Sequence, residues 1–190
     1  MAAVLAVSLA GCASMGLGQG SATAYDLTAA REFPHRTARP HGQLVVVEPT
    51  MLAPLDGERI LVRPAPGQAA QLTDAQWEDR LPRLIQARLV ESFENANRLR
   101  AVGKPSDKIA GDFVLLTDVR AFEISAADGT AVVEIAAKIV REGSGRIVAA
   151  RVIRATVPAQ AMQGPGAVAS INAAFVQAAT QIVLWAAPLV

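Results

Sequence analysis

Phe113-Val114-Leu115-Leu116-Thr117-Asp118-Val119-Arg120-Ala121-Phe122-Glu123-Ile124 opens the part of the chain that decides its fold. Phe113, Leu115, Val119 and Ala121 share one parity, so a period of two puts them on one side of a strand. Asp128-Gly129 follows, a dipeptide suited to a tight hairpin because both central residues need positive φ. Thr130 to Val140 then alternates, with Val133, Ile135, Ala137 and Ile139 on one face and Glu134, Ala136 and Lys138 on the other. Gly143-Ser144-Gly145 turns the chain again, and Arg146 to Val157 returns with Ile147, Ala149, Ile153 and Val157. The pattern predicts an antiparallel meander with one packed face and one wetter face. The pairs Asp118/Arg120, Glu134/Lys138 and Arg151/Arg154 read as solvated strand surface.

Beyond the meander, Pro165 stands where a final helix can begin. Val168, Ile171, Phe175, Ala178, Ile182 and Trp185 recur at steps of three and four, the spacing of an amphipathic helix laid on the sheet. Ser170, Gln177 and Gln181 fall roughly opposite. No charged residue occurs from Ala155 to Val190, although a solvent-facing helix normally carries Lys and Glu. Three readings compete. A transmembrane span would put Asn172, Gln177 and Gln181 in lipid, where polar groups are costly. A second reading has the helix covered by the rest of the domain. Or its Gln/Ala/Ser face meets a partner or a second copy of the chain, which makes Ser170, Gln177 and Gln181 a candidate partner interface.

Before the meander, Gln43 to Glu48 holds the β-branched run of a covered strand, ended by Pro49. Pro54 and Asp56-Gly57 mark a loop before a second strand, Arg59 to Arg63, and a short extended piece is expected around Ala70 to Leu72. Thr73-Asp74-Ala75-Gln76 has capping-box spacing. It predicts a helix with Trp77, Leu81, Leu84, Ile85, Leu89, Phe93 and Ala96 on one stripe. Pro82 lacks the N–H that a helix interior requires, so it implies a kink or a restart with Pro82 in the first turn. Trp77 reads as a core anchor. The fold class is α+β: a mainly antiparallel sheet with a C-terminal three-strand meander and two amphipathic helices on one face.

The beginning of the sequence carries a different signal. An apolar run from Met1 to Ala10 leads through Leu9-Ala10-Gly11 into Cys12, the only cysteine. Small side chains before a cysteine are what a lipoprotein signal peptidase needs, and the freed cysteine takes the diacylglycerol on its thiol. No Lys or Arg precedes Arg31, whereas a secretory segment normally opens with positive charge. A membrane span needs about 20 apolar residues, and the run fails at Ser14, Gly16 and Gly18-Gln19-Gly20-Ser21. The expected organisation is a signal over residues 1–11, a lipidated tether over 12–24 and a single periplasmic domain over 25–190. About a dozen extended residues reach ~40 Å. Tyr25-Asp26-Leu27 begins an edge strand.

Composition excludes several classes. A net charge of +1 gives no basic face for nucleic acid, and 4% aromatics supply few stacking platforms. His35 and His41 lack Cys or carboxylate companions at metal-ligand spacing and read as part of a solvated connector. Gly16-Leu17-Gly18-Gln19-Gly20 lacks the preceding strand and following helix of a phosphate loop, and no Gly-x-Ser-x-Gly elbow is present. The residues point to a protein that is not an enzyme and uses no metal or other cofactor.

The lipobox, Tyr25-Asp26-Leu27, Val46-Val47-Glu48-Pro49, Glu58-Arg59-Ile60-Leu61-Val62-Arg63, Trp77-Glu78-Asp79-Arg80-Leu81-Pro82 and Asp118-Val119-Arg120-Ala121-Phe122-Glu123 together resemble the ABC-type transport auxiliary lipoproteins. That family includes paraquat-inducible protein C and the lipoprotein components of mammalian-cell-entry (MCE) systems. The resemblance implies an accessory role in moving phospholipid or other lipid between the two membranes of a Gram-negative envelope. It implies as partners an MCE-domain substrate-binding protein and, indirectly, an ABC permease with its ATPase. It carries over no catalytic residue, only Cys12 as the lipidation site. Ala13, where the enteric sorting rule reads Asp as retention, favours the outer membrane over the inner. The alternatives are a general envelope-assembly lipoprotein that contacts peptidoglycan synthesis or secretion machinery, and a soluble carrier with its own lipid cavity.

Overall fold

The structure, a computed structural model, describes residues 22–34 and 40–190. Its organising element is the strand Phe113–Ser125, the seventh in chain order and here β7. β8 (Thr130–Arg141) runs antiparallel to it from Phe113↔Arg141 to Ser125↔Thr130, and β9 (Arg146–Pro158) continues the meander. These strands follow the predicted boundaries closely.

The other side of β7 is built differently. β2 (Gln43–Val46), β3 (Thr50–Met51) and β4 (Arg59–Arg63) lie end to end along it, all parallel, at Leu44↔Phe113, Thr50↔Asp118 and Leu61↔Glu123. β6 (Ala101–Gly103) pairs parallel outside β2. Outside β4 comes β5 (Ala70–Trp77), antiparallel, and then β1 (Thr23–Tyr25), parallel to β5. The sheet is therefore mixed, with nine strands, and not mainly antiparallel. Parallel neighbours need a long crossover. Here the excursion through β5, α1 and β6 supplies it, and residue periodicity carries no information about strand direction. β1 is an edge strand, as expected, but it ends at Tyr25 and takes in two residues assigned to the tether.

Two bulges shift the predicted faces. Along β7, Phe113, Leu115, Thr117 and Val119 point inward; the register then slips between Val119 and Ala121, and Phe122 and Ile124 take over the core positions. An extra residue in a strand reverses the parity beyond it, so Phe122 is buried where Ala121 was expected. A second slip near Val140 leaves Ile147 of β9 53% exposed rather than packed.

The first helix, α1, spans Leu81–Ala96 with Arg80 at its N-cap and Pro82 in its first turn. The earlier start suggested by Thr73-Asp74-Ala75-Gln76 is wrong, because those residues lie in β5. Their backbone is claimed by neighbours on both sides: Ala75 pairs with Thr23, Gln76 pairs with Ala24 and Arg59, and just beyond them the N–H of Trp77 donates to Glu58 at 2.7 Å and that of Glu78 to Tyr25 at 2.9 Å. Arg80 is still extended, with a ψ of 130°, and Pro82 sits in the first turn where its missing N–H needs no partner, so the helix starts at Leu81. Asn97, with a φ of 47°, closes α1 in the left-handed conformation, its N–H bonded to the carbonyl of Glu94 at 3.0 Å.

The second helix, α2, spans Gly164–Ala186, with Pro165 in its first turn as predicted. Val168, Ile171, Phe175, Ala178 and Ile182 are buried against the sheet. An aromatic chain ties the layers together. Trp77 of β5 meets Phe122 edge-on at 5.8 Å between centroids, and Phe122 meets Phe175 of α2 at 5.9 Å. Trp77 is a core anchor, but from a strand. Replacing Phe122 with Ala removes the middle of this chain and is expected to cost about 3–5 kcal/mol in urea unfolding. Leu116→Ala, on the open face of the same strand, is expected to cost about 1 kcal/mol or less.

Candidate functional site

The segment following β1 crosses the helix layer and is bolted to both helices. Asp26 accepts the N–H of Leu27 at 2.7 Å through one carboxylate oxygen and bonds the Arg88 guanidinium of α1 through the other. Arg88 also reaches Glu91 at 2.9 Å, and Arg31 lies 3.6 Å from Glu91. Burial acts against the Arg88 charge and is the largest single influence on it. The hydrogen bonds to Asp26 and Glu91 nevertheless outweigh it and hold the pKa above the ordinary arginine value.

Further along, the buried Ser92 hydroxyl accepts the N–H of Ala30 at 2.9 Å and donates to the carbonyl of Arg88. Asn95 donates to the carbonyl of Ala30 at 2.9 Å. From the other helix, Asn172 accepts the N–H of Thr28 at 2.8 Å and donates to the Thr28 hydroxyl at 2.6 Å. Leu27, Ala29 and Ala30 are buried beneath these bonds. Serine and asparagine in the body of a helix usually compete with its own backbone. Here they serve the strap, and sequence periodicity gives no sign of that.

Between the strap and α2 opens a groove of about 690 Å³. Thr28, Arg31 and Glu32 line one wall; Val176, Gln177, Thr180 and Gln181 line the other. Gln177 and Gln181 are exposed, as their place opposite the buried stripe requires. Ser170 is not with them. It is 2% exposed, between the buried Ala167 and Ala174, and its hydroxyl donates to the carbonyl of Gly166 at 2.8 Å and accepts the N–H of Gln160 at 2.9 Å. It shares a face with Ala167 and Ala174 because steps of three and four return to one side of a helix. The 26-residue stretch Gly164–Leu189 is long and apolar enough to cross a membrane, yet 56% of its most apolar window is buried within the fold.

Cys12 and His35 lie outside the described residues. His41 is exposed, its Nδ1 3.3 Å from the carbonyl of Val190. Among the described residues, no group of three or more His, Cys, Asp or Glu is placed to hold a metal.

Several charged members of the quoted motifs are instead paired with one another, with a neighbouring loop or with the helix layer. Arg80 bridges Glu48 at 3.4 Å and Asp56, and these carboxylates, Asp56 foremost, raise its pKa. Arg63 of β4 pairs with the buried Glu123 of β7. Asp26 is held by Arg88. Contacts between motifs far apart in sequence mark a structural signature, and what it defines is an α+β domain with a strapped helix layer.

The chain belongs to the family of ABC-type transport auxiliary lipoprotein components, which matches residues 25–183. It is 35% identical over 163 residues to an uncharacterised protein of Bradyrhizobium diazoefficiens, covering 85% of this chain but only 44% of that relative. It therefore spans less than half the length of the curated relative it matches. The crystal structure of XCC0632 from Xanthomonas campestris is similar with a TM-score of 0.78 and 27% identity, over 88% of this chain and 96% of the other. PelC of Paraburkholderia phytofirmans, solved as a dodecamer, shares the fold with a TM-score of 0.50 and 11% identity, over 86% of this chain and 94% of the other.

Asp26→Ala and Asn172→Ala each release one side of the strap. For the half-exposed Asp26–Arg88 pair the expected global loss is about 1 kcal/mol. Hydrogen exchange should show a larger local effect, with the amides of Thr28 and Ala30 losing protection while those of β7 and β8 keep theirs.

Proposed function

We propose that this chain is the lipid-anchored, non-catalytic accessory component of an MCE-type system that moves phospholipid or related lipid across the envelope. The family match over residues 25–183 carries the reading, and the Leu9-Ala10-Gly11-Cys12 signal gives it a membrane. Cys12, once lipidated, bears the acyl chains; a cysteine with two or more anchors stably where one chain is marginal. Residues 13–21 leave reach between the lipid and β1. A domain held this close to a membrane has a high effective concentration there, so a weak contact with a periplasm-spanning MCE-domain protein is well populated.

The strap completes the mechanical path. The tether enters at β1, and Asp26, Thr28 and Ala30 fasten the next residues to α1 and α2. A pull from the membrane is borne by the helix layer, beside the groove whose wall carries Gln177 and Gln181. That wall is the proposed docking face for the transport partner, and Ala13 directs the assembly to the outer membrane.

Deletion of the gene is expected to disturb the phospholipid content of the outer membrane. Wild-type protein should restore it and Cys12→Ala, at equal abundance, should not. An unchanged lipid balance with a fall in peptidoglycan insertion or in secretion would overturn the transport reading.

A further inference from the structure

The edge of the sheet opposite β1 is unguarded. β9 is 13 residues long and pairs only with β8; nothing among the described residues occupies its outer edge. At about 3.4 Å per residue it presents a ladder of unpaired N–H and C=O groups about 40 Å long. Edge strands are usually short, capped by Lys or Pro, or covered. Here Pro158 stands only at the end, and Ile147, Val148 and Val152 are 53%, 40% and 50% exposed.

Its charge is one-sided. β9 carries Arg146, Arg151 and Arg154 and no acidic residue. Arg154 is matched by Glu134 at 2.6 Å, whereas Arg146 and Arg151 have no ion-pair partner among the described residues. Arg146 lies directly across the ladder from Arg141, and like charges in that position cost stability.

We infer that β9 is a docking strand that takes an extended segment of another protein, one whose acidic residues alternate with apolar ones. The backbone ladder supplies affinity, Ile147, Val148 and Val152 receive the apolar side chains, and Arg146 and Arg151 select the carboxylates. A second copy fits poorly, because two β9 edges would bring the arginines of both together with no carboxylate on either strand. The surface is separate from the groove beside α2 and does not depend on which envelope machinery supplies the segment.

The test uses the full-length chain in detergent and a synthetic peptide of alternating Glu and Val, with a Lys–Val peptide as control. Binding is read by fluorescence anisotropy and by hydrogen exchange. The Glu–Val peptide should bind, slow exchange at β9 amides, and lose about tenfold in affinity with Arg146→Glu plus Arg151→Glu. Val152→Pro, which removes one ladder donor on an exposed position, should weaken it independently of charge. Equal binding of the Lys–Val peptide, or binding without protection in β9, overturns the inference. So does a charge dependence reproduced by anionic phospholipid vesicles that leave β9 exchange unchanged, which would make the arginines a lipid-facing patch.

Discussion

The rest of the structure depends on the two-sided ladder of β7. One long strand must pair antiparallel with β8 and, on its other edge, accept β2, β3 and β4 in succession, all running its own way. The chain can meet that demand only by leaving the edge of β7 and coming back, which is why β5, α1 and β6 lie between β4 and β7 in sequence. The slip at Arg120 then turns Phe122 inward, so that the same strand that sets the topology also joins Trp77 to Phe175 and fixes α2 on the sheet.

How much of this the residues announce depends on the range of the interaction concerned. The meander is legible because its turns and alternation are local. So are the body of α1 and the position of α2, where Pro82, Pro165 and the apolar spacing agree. Thr73-Asp74-Ala75-Gln76 misleads because capping-box spacing is only three residues long. Leu72, Ala75 and Trp77 are recruited as a strand by β4 and β1, which the segment itself cannot reveal. Bulges invert parity without altering composition, hence the exchange of Ala121 for Phe122. Ser170 shows the same limit on a helix, where a small polar residue fits an Ala-lined contact as readily as a surface.

The absence of charge from Ala155 onward now has a physical account. α2 is covered along most of its length, and its polar residues have assigned work: Asn172 holds Thr28, Ser170 receives Gln160, and Thr180 donates back to Val176. Gln177 and Gln181 remain free to meet something else. The exposure of these two glutamines was legible in their spacing and the strap was not, because its bonds to the helices join residues 62 to 144 positions apart. The quoted motifs are likewise recognisable as a set because Glu48–Arg80 and Arg63–Glu123 tie them together in space. Their conjunction supports a family assignment, while each alone is an ordinary surface or strand sequence.

We propose a lipid-held domain that keeps an MCE-type transport assembly at the membrane. Its most direct test is affinity purification of the full-length chain from crosslinked envelopes, with Cys12→Ala in parallel. Recovery of an MCE-domain protein, sharply reduced when Cys12 is lost, is the predicted result. Recovery of cell-wall or secretion proteins in its place would contradict the account.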